Sequence, residues 1–151
     1  MKKLAITLAA LFFLFPALHA QVQDPVKWNY VAIKKSDKEY TVNISATLQP
    51  GWHIYSINTP NGGPVPTTFS FKKNPLVTLE GDTKENGKLS TIYDDVFGVD
   101  VKYYSETVMF AQPLKLKSAV KTNLSGTIKY MLCNDKMCLP PKTIPFNVQL
   151  Q

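Results

Sequence analysis

Tyr40-Thr41-Val42-Asn43-Ile44-Ser45-Ala46-Thr47-Leu48 is the stretch that decides the fold. Its apolar residues alternate without a break against polar ones, the period of two that sends successive side chains to opposite faces of a pleated strand. A strand of this kind has one face in a core and one in water, as antiparallel sheets commonly do. Gln49-Pro50-Gly51 ends it, Lys34-Lys35-Ser36-Asp37-Lys38 is a polar turn before it, and Val26 to Ile33 alternates well enough for a preceding strand.

Working outward toward the C-terminus, Trp52 to Ser56 reads as a short aromatic strand. The next stretch, Asn58 to Pro66, holds three prolines and two glycines, which exclude a helix or a central strand. Thr68 to Phe71, Leu76 to Leu79 and Val99 to Tyr104 read as strands, and Gly81 to Gly87 as a polar loop. Glu106 to Leu116 is a further strand in which Pro113 implies an edge or a bulge. Ser118 to Asn123 is the one stretch suited to a helical turn. Thr127 to Leu132 alternates, and so does Thr143 to Leu150. Eight or nine short strands separated by turns predict an all-β protein, an immunoglobulin-like antiparallel β-sandwich.

The totals agree with one such domain. The chain has 151 residues, 44% of them hydrophobic, enough for a real core, and its 11 prolines and 7 glycines are scattered as punctuation. All 17 basic residues are lysines, spread along the sequence. Such a mild positive excess gives no basis for nucleic-acid binding.

Residues 1–20 have the three-part pattern of a secretory signal peptide: Met1-Lys2-Lys3, an apolar run from Leu4 to Leu18 interrupted by Thr7 and Pro16, then Leu18-His19-Ala20. The apolar core is short for a spanning helix and no stop-transfer pattern follows, so cleavage after Ala20 leaves a mature domain over 21–151 with no membrane insertion. Removal of Lys2 and Lys3 leaves 15 lysines against 11 acids, a net charge of +4.

Both cysteines lie in Tyr130-Met131-Leu132-Cys133-Asn134-Asp135-Lys136-Met137-Cys138-Leu139-Pro140-Pro141. The four residues between them include turn formers and apolar runs flank the segment, so it reads as a hairpin tip carrying a thiol pair that can close into a disulfide. If Ile128, Tyr130 and Leu132 fill the core, Cys133 lies on the opposite face with Lys129 and Met131, partly accessible.

In an exported protein, three uses of the pair stand open. One is a structural staple, although closing a six-residue loop is worth only about 2 kcal/mol. Another is thiol:disulfide exchange, for which Lys136 favours the thiolate and Asp135 opposes it. The third is Cu(I) binding through the soft ligands Met131, Cys133, Met137 and Cys138, where the two methionines serve equally well as packing residues. A structural zinc site lacks its four ligands, and no other metal or cofactor motif is present: there is no Gly-rich phosphate loop and no Gly-x-Ser-x-Gly.

The segment from Cys133 to Pro141, with Asp135 between the cysteines and Cys-Leu-Pro-Pro closing it, resembles the N-terminal periplasmic domain of the thiol:disulfide interchange protein DsbD. Gly51-Trp52-His53-Ile54-Tyr55 is similar to the aromatic strand of that family, and Asp94-Asp95-Val96-Phe97-Gly98 to its cap loop. The resemblance implies a periplasmic immunoglobulin-like domain, acting as a monomer. It would take electrons from a thioredoxin-like reductant and pass them to oxidised exported thiol proteins. It implies Cys138 as nucleophile, Cys133 as resolving thiol, Phe97 beside Val96 as the cap, Tyr55 near the pair, and Asp94 and Asp95 tuning thiol acidity. The spacing of four residues between the cysteines is one shorter than in well-studied members. The chain ends at Gln151 without a membrane-spanning reductase, so a membrane reductase would act in trans. The alternative reading is an immunoglobulin-like binding module with a structural disulfide, and a further one is a Cu(I)-binding protein.

Overall fold

The computed structural model describes residues 24–95 and 97–151; the signal peptide expected over 1–20 and the cap position Val96 lie outside the described residues. Val26–Lys34 (β1) and Glu39–Leu48 (β2) form an antiparallel hairpin. Tyr40, Val42, Ile44, Ala46 and Leu48 are all buried, so the alternation of the sequence is realised as the pleat of β2. The later strands are His53–Tyr55 (β3), Thr68–Phe71 (β4), Val77–Leu79 (β5), Lys84–Gly87 (β6), Ser90–Asp94 (β7), Val99–Tyr104 (β8), Thr107–Leu116 (β9), Thr122–Tyr130 (β10), Leu132–Cys133 (β11) and Lys142–Leu150 (β12).

Three antiparallel sheets result. One runs β1-β2-β9-β5 with β6 also on β9, a second runs β12-β10-β4, and a third, smaller one runs β11-β3-β8-β7. The first two pack face to face as an immunoglobulin-like sandwich. Rings interlock across the gap: Phe110 of β9 meets Phe69 of β4 at 4.9 Å, and Trp28 of β1 meets Tyr130 of β10 at 5.2 Å between centroids. The third sheet closes one part of this core with the face that carries Ile54, Tyr104 and Leu132, all buried in the same apolar cluster.

Several expectations are corrected. Twelve strands are present among the described residues rather than eight or nine. The polar stretch from Gly81 to Gly87 contains β6, whose Lys-Glu-Asn-Gly sequence has no apolar period to read and which is held by backbone pairing to β9. Ser118 to Asn123 forms no helical turn: the chain bends there and enters β10 at Thr122.

Pro113 lies on a central strand, not an edge, because β9 has β2 on one side and β5 and β6 on the other. Its tolerance has a local reason. β5 pairs with residues 114–116 and β6 with residues 108–111, so the missing N–H falls in the gap between them. Backbone and side chain fill that gap: Glu80 N–H donates to the Pro113 carbonyl at 3.0 Å, and the buried Gln112 amide donates to the same carbonyl at 2.9 Å.

Gly126 is the tightest point of the second sheet. It pairs with Phe71 on one side and Phe146 on the other, and a Cβ there would come within 2.3 Å of the Ser70 carbonyl oxygen and 2.9 Å of the Phe146 ring. Gly126→Ala is therefore expected to cost about 1–3 kcal/mol or more by overpacking. Urea unfolding should show a lower midpoint at an unchanged slope.

Candidate functional site

The third sheet has two faces of different character. Its ladders place Cys133 opposite His53, Ile54 opposite Tyr104, and Tyr55 opposite Tyr103. The period of two then puts Cys133, His53, Tyr55, Tyr103, Val101 and Val99 on the face turned away from the main core. There Tyr55, Val101 and Cys133 are buried together, with Val99, Tyr103 and Met131 packed against them. The long loop after β3 lies over part of this face: a Cβ on Gly63 would stand 3.2 Å from a Val99 methyl and 3.5 Å from one of Val101.

Cys133 and Cys138 are bonded, with Cα atoms 4.0 Å apart, and they also form an antiparallel bridge. The hairpin between them is set by Asn134, whose side-chain oxygen accepts from the N–H groups of Lys136 at 2.9 Å and Met137 at 2.8 Å. Asn134 N–H donates to the Met137 carbonyl and Leu139 N–H to the Leu132 carbonyl. The two cysteines sit in different surroundings. Cys133 is 2% exposed, whereas Cys138 is an exposed residue at the sheet edge.

The partly accessible Cys133 expected from the alternation is thus corrected. It does point away from the main core, but that face is itself covered, by Tyr55 and Val101, and the exposed cysteine of the pair is Cys138. The two methionines divide: Met131 packs against the Cys133 cluster, while Met137 is 51% exposed and packs in no core.

Tyr55 packs in the same buried cluster as Cys133. Its hydroxyl is hydrogen-bonded to His53 Nε2 at 3.3 Å, and burial, with the nearby Asp94 charge second, pushes the phenol up to about 12. Its carbonyl accepts from the Thr67 hydroxyl at 2.6 Å, which ties the end of the long loop to β3. Asp94 organises the turn between β7 and β8. Its carboxylate accepts from Phe97 N–H at 3.2 Å and its carbonyl from Gly98 N–H at 2.7 Å, while Gly98 takes the left-handed φ of +67° that the turn requires. Phe97 is 40% exposed on this tip, Asp95 is exposed beside it, and Asp135 is exposed on the cysteine hairpin.

Two residues went unassigned by sequence reasoning. His53 packs its ring against Tyr103 at 4.8 Å and edge-on to Tyr55 at 5.4 Å, and burial holds its imidazole below the usual 6.5 while the Asp135 charge opposes the shift. Glu85 of β6 braces the site from behind: one oxygen accepts from the Ser56 hydroxyl and from the Asn58 amide, and the other from Ile57 N–H at 3.0 Å. His53 stands two residues before Tyr55 and so shares its face of β3, but what it meets there, Cys133 and Tyr103, comes from strands distant in sequence. Glu85 lay in the stretch read as a loop. Among the described residues no three His, Cys, Asp or Glu side chains converge as a metal site.

The family profile described as "Thiol:disulfide interchange protein DsbD, N-terminal" matches residues 20–150. The chain belongs to this family. Its fold is similar to that of the N-terminal periplasmic domain of ScsB from Proteus mirabilis, with a TM-score of 0.59 and 22% identity over 87% of this chain, and the chain spans 49% of that one. The DsbD N-terminal domain of Neisseria meningitidis in its reduced form gives a TM-score of 0.52 at 19% identity, covering 79% of this chain and 83% of that one. A complex of the DsbD N-terminal and PilB N-terminal domains from the same organism gives 0.52 at 17% identity, covering 89% and 87%. No curated protein matches the sequence significantly.

The pH dependence of stability has a defined sign at His53. The folded imidazole binds its proton less readily than the unfolded chain does, so stability is full above about pH 6.5 and declines as the pH falls through that value. In urea titrations from pH 7.5 to 5.5 the decline should be smaller for His53→Gln than for the wild-type chain, and NMR titration of the wild-type His53 ring should give a midpoint below 6.5.

Proposed function

We propose that this chain is an exported thiol:disulfide exchange domain of the periplasm. It works as a monomer after loss of residues 1–20 and passes electrons between a thioredoxin-like reductant and oxidised exported thiol proteins through Cys133 and Cys138. The observation that carries the reading is the asymmetry of the pair, one cysteine buried and the other an exposed residue at a sheet edge. Thiol–disulfide exchange proceeds by attack of a thiolate along a path that must be open, so an incoming thiolate is directed to Cys138. A mixed disulfide then forms there, and Cys133 leaves and later returns as the resolving thiol.

Membership of the DsbD N-terminal family supports this reading, as does the solved complex in which such a domain is bound to the N-terminal domain of PilB. A membrane reductase acting in trans would supply the electrons through the thioredoxin-like donor. Phe97, with Val96 beside it, serves as a movable cap on the pair, and Asp94 and Asp95 bias the acidity of the thiols. What supports the cap is the place of Phe97 in the turn of the β7–β8 hairpin, next to the Asp94–Val99 pair, where Val99 packs against the Cys133 cluster.

The test is a pair of measurements on the purified mature domain. Equilibration in glutathione or dithiothreitol buffers, with alkylated thiols counted, should place the reduction potential near about −200 mV, whereas a value well below about −300 mV marks a staple and overturns the proposal. Challenged with an oxidised thioredoxin-like protein, reduced Cys133→Ser should accumulate a mixed disulfide and reduced Cys138→Ser should not. Equal trapping by both variants would contradict the assignment of Cys138.

A further inference from the structure

Cys133 is enclosed, yet in every exchange cycle it must lose and regain a proton. A thiolate generated at a buried sulfur is raised in energy by lost hydration, and a buried thiol is correspondingly slow to ionise. The side chain directly across the ladder from Cys133 is His53, on the same face of the same sheet. Facing pairs on antiparallel strands stand about 4.5–5.5 Å apart at Cβ, within reach of an imidazole.

We propose that His53 is the proton acceptor for Cys133 in the resolving step, held in place by Tyr55 and Tyr103. This rests on the exchange reading above and deepens it. With a partner sulfur bonded to Cys138, the neutral imidazole takes the proton of the Cys133 thiol. The Cys133 thiolate attacks Cys138 Sγ, the Cys133–Cys138 bond forms, and the bond from Cys138 to the partner sulfur breaks. The partner leaves as a thiolate, carrying the two electrons, and the imidazolium gives up its proton to the leaving thiolate or to water. Run backward, the same group protonates the departing Cys133.

The groups around the ring fit the role. Tyr55 from the same strand contributes a hydrogen bond at 3.3 Å, Tyr103 of β8 packs at 4.8 Å, Cys133 of β11 lies opposite, and Asp135 of the cysteine hairpin contributes the nearby negative charge. Burial keeps the imidazole neutral near pH 7, so it is ready to accept a proton. Asp135 keeps the imidazolium from becoming prohibitively costly once formed. The Tyr55 phenol, pushed up to about 12, stays protonated throughout and can only orient the ring.

The experiment isolates the resolving step. Reduced domain is converted to the mixed disulfide of Cys138 with 2-nitro-5-thiobenzoate, and release of the coloured thiolate is followed by stopped flow from pH 5 to 9. For the wild-type domain the rate should climb at low pH and level off at or below about pH 6.5, where the imidazole becomes neutral. His53→Gln should be slower by about 10- to 100-fold near pH 7, with a rate that keeps rising toward the titration of the thiol itself. A Lys121→Gln control, at an exposed position outside the site, should retain the wild-type profile. If His53→Gln gives the same profile as the wild type while still folded, His53 has no role in proton transfer and the exchange reading stands. If the wild-type mixed disulfide releases no thiolate at any pH, the exchange reading itself fails.

Discussion

The pairing of Leu132 and Cys133 with Ile54 and His53 is the contact on which the site depends. Two residues of strand are short, and a ladder that brief has little stability of its own. It persists because Leu132, Ile54 and Tyr104 are driven into the main core from the same sheet. Burial of three side chains on one face thus fixes the position of Cys133 on the other. The apolar contribution lies under the site and the chemistry lies above it, which allows the outer face to carry a histidine, two tyrosines and a disulfide without loss of the fold.

The same constraint produces the difference between the two cysteines. Cys133 belongs to a paired strand and is covered by Tyr55 and Val101, whereas Cys138 returns along the free edge beyond it. No special residue is needed to expose one and bury the other. The hairpin geometry does it, because the second strand of the tip has no further neighbour among the described residues. Glu85 extends the support backward: by accepting hydrogen bonds from Ser56, Ile57 and Asn58 it fixes the chain leaving β3, and so fixes the strand that positions His53 and Tyr55.

Much of this was legible in the sequence, for identifiable reasons. The alternation of Tyr40 to Leu48 and of Val108, Phe110, Leu114 and Leu116 becomes the buried face of the first sheet, because a strand with one wet face must sort its side chains by period. The hairpin tip at Asn134 was legible because turn chemistry is local. What could not be read was relational. β6 is polar and held by backbone pairing to β9 and by the hydrogen bonds of Glu85, Pro113 is accommodated by a gap between two other strands, and the burial of Cys133 depends on the third sheet having a second covered face. In each case the deciding partner is distant in sequence, and the period of the strand itself carries no record of it.

The hairpin also bears on what its disulfide is for. Closing a six-residue loop contributes only about 2 kcal/mol through chain entropy. The tip is independently held by the Asn134 side chain and by the hydrogen bond from Leu139 N–H to the Leu132 carbonyl, and its base is anchored by Leu132 in the core. Opening the sulfur–sulfur bond therefore leaves these contacts in place. A bond whose loss would unfold its surroundings could not be broken and remade in each turnover; one set on a hairpin that stands without it can. The fold thus makes little demand on the disulfide for stability, and the exposed Cys138 leaves it open to a partner.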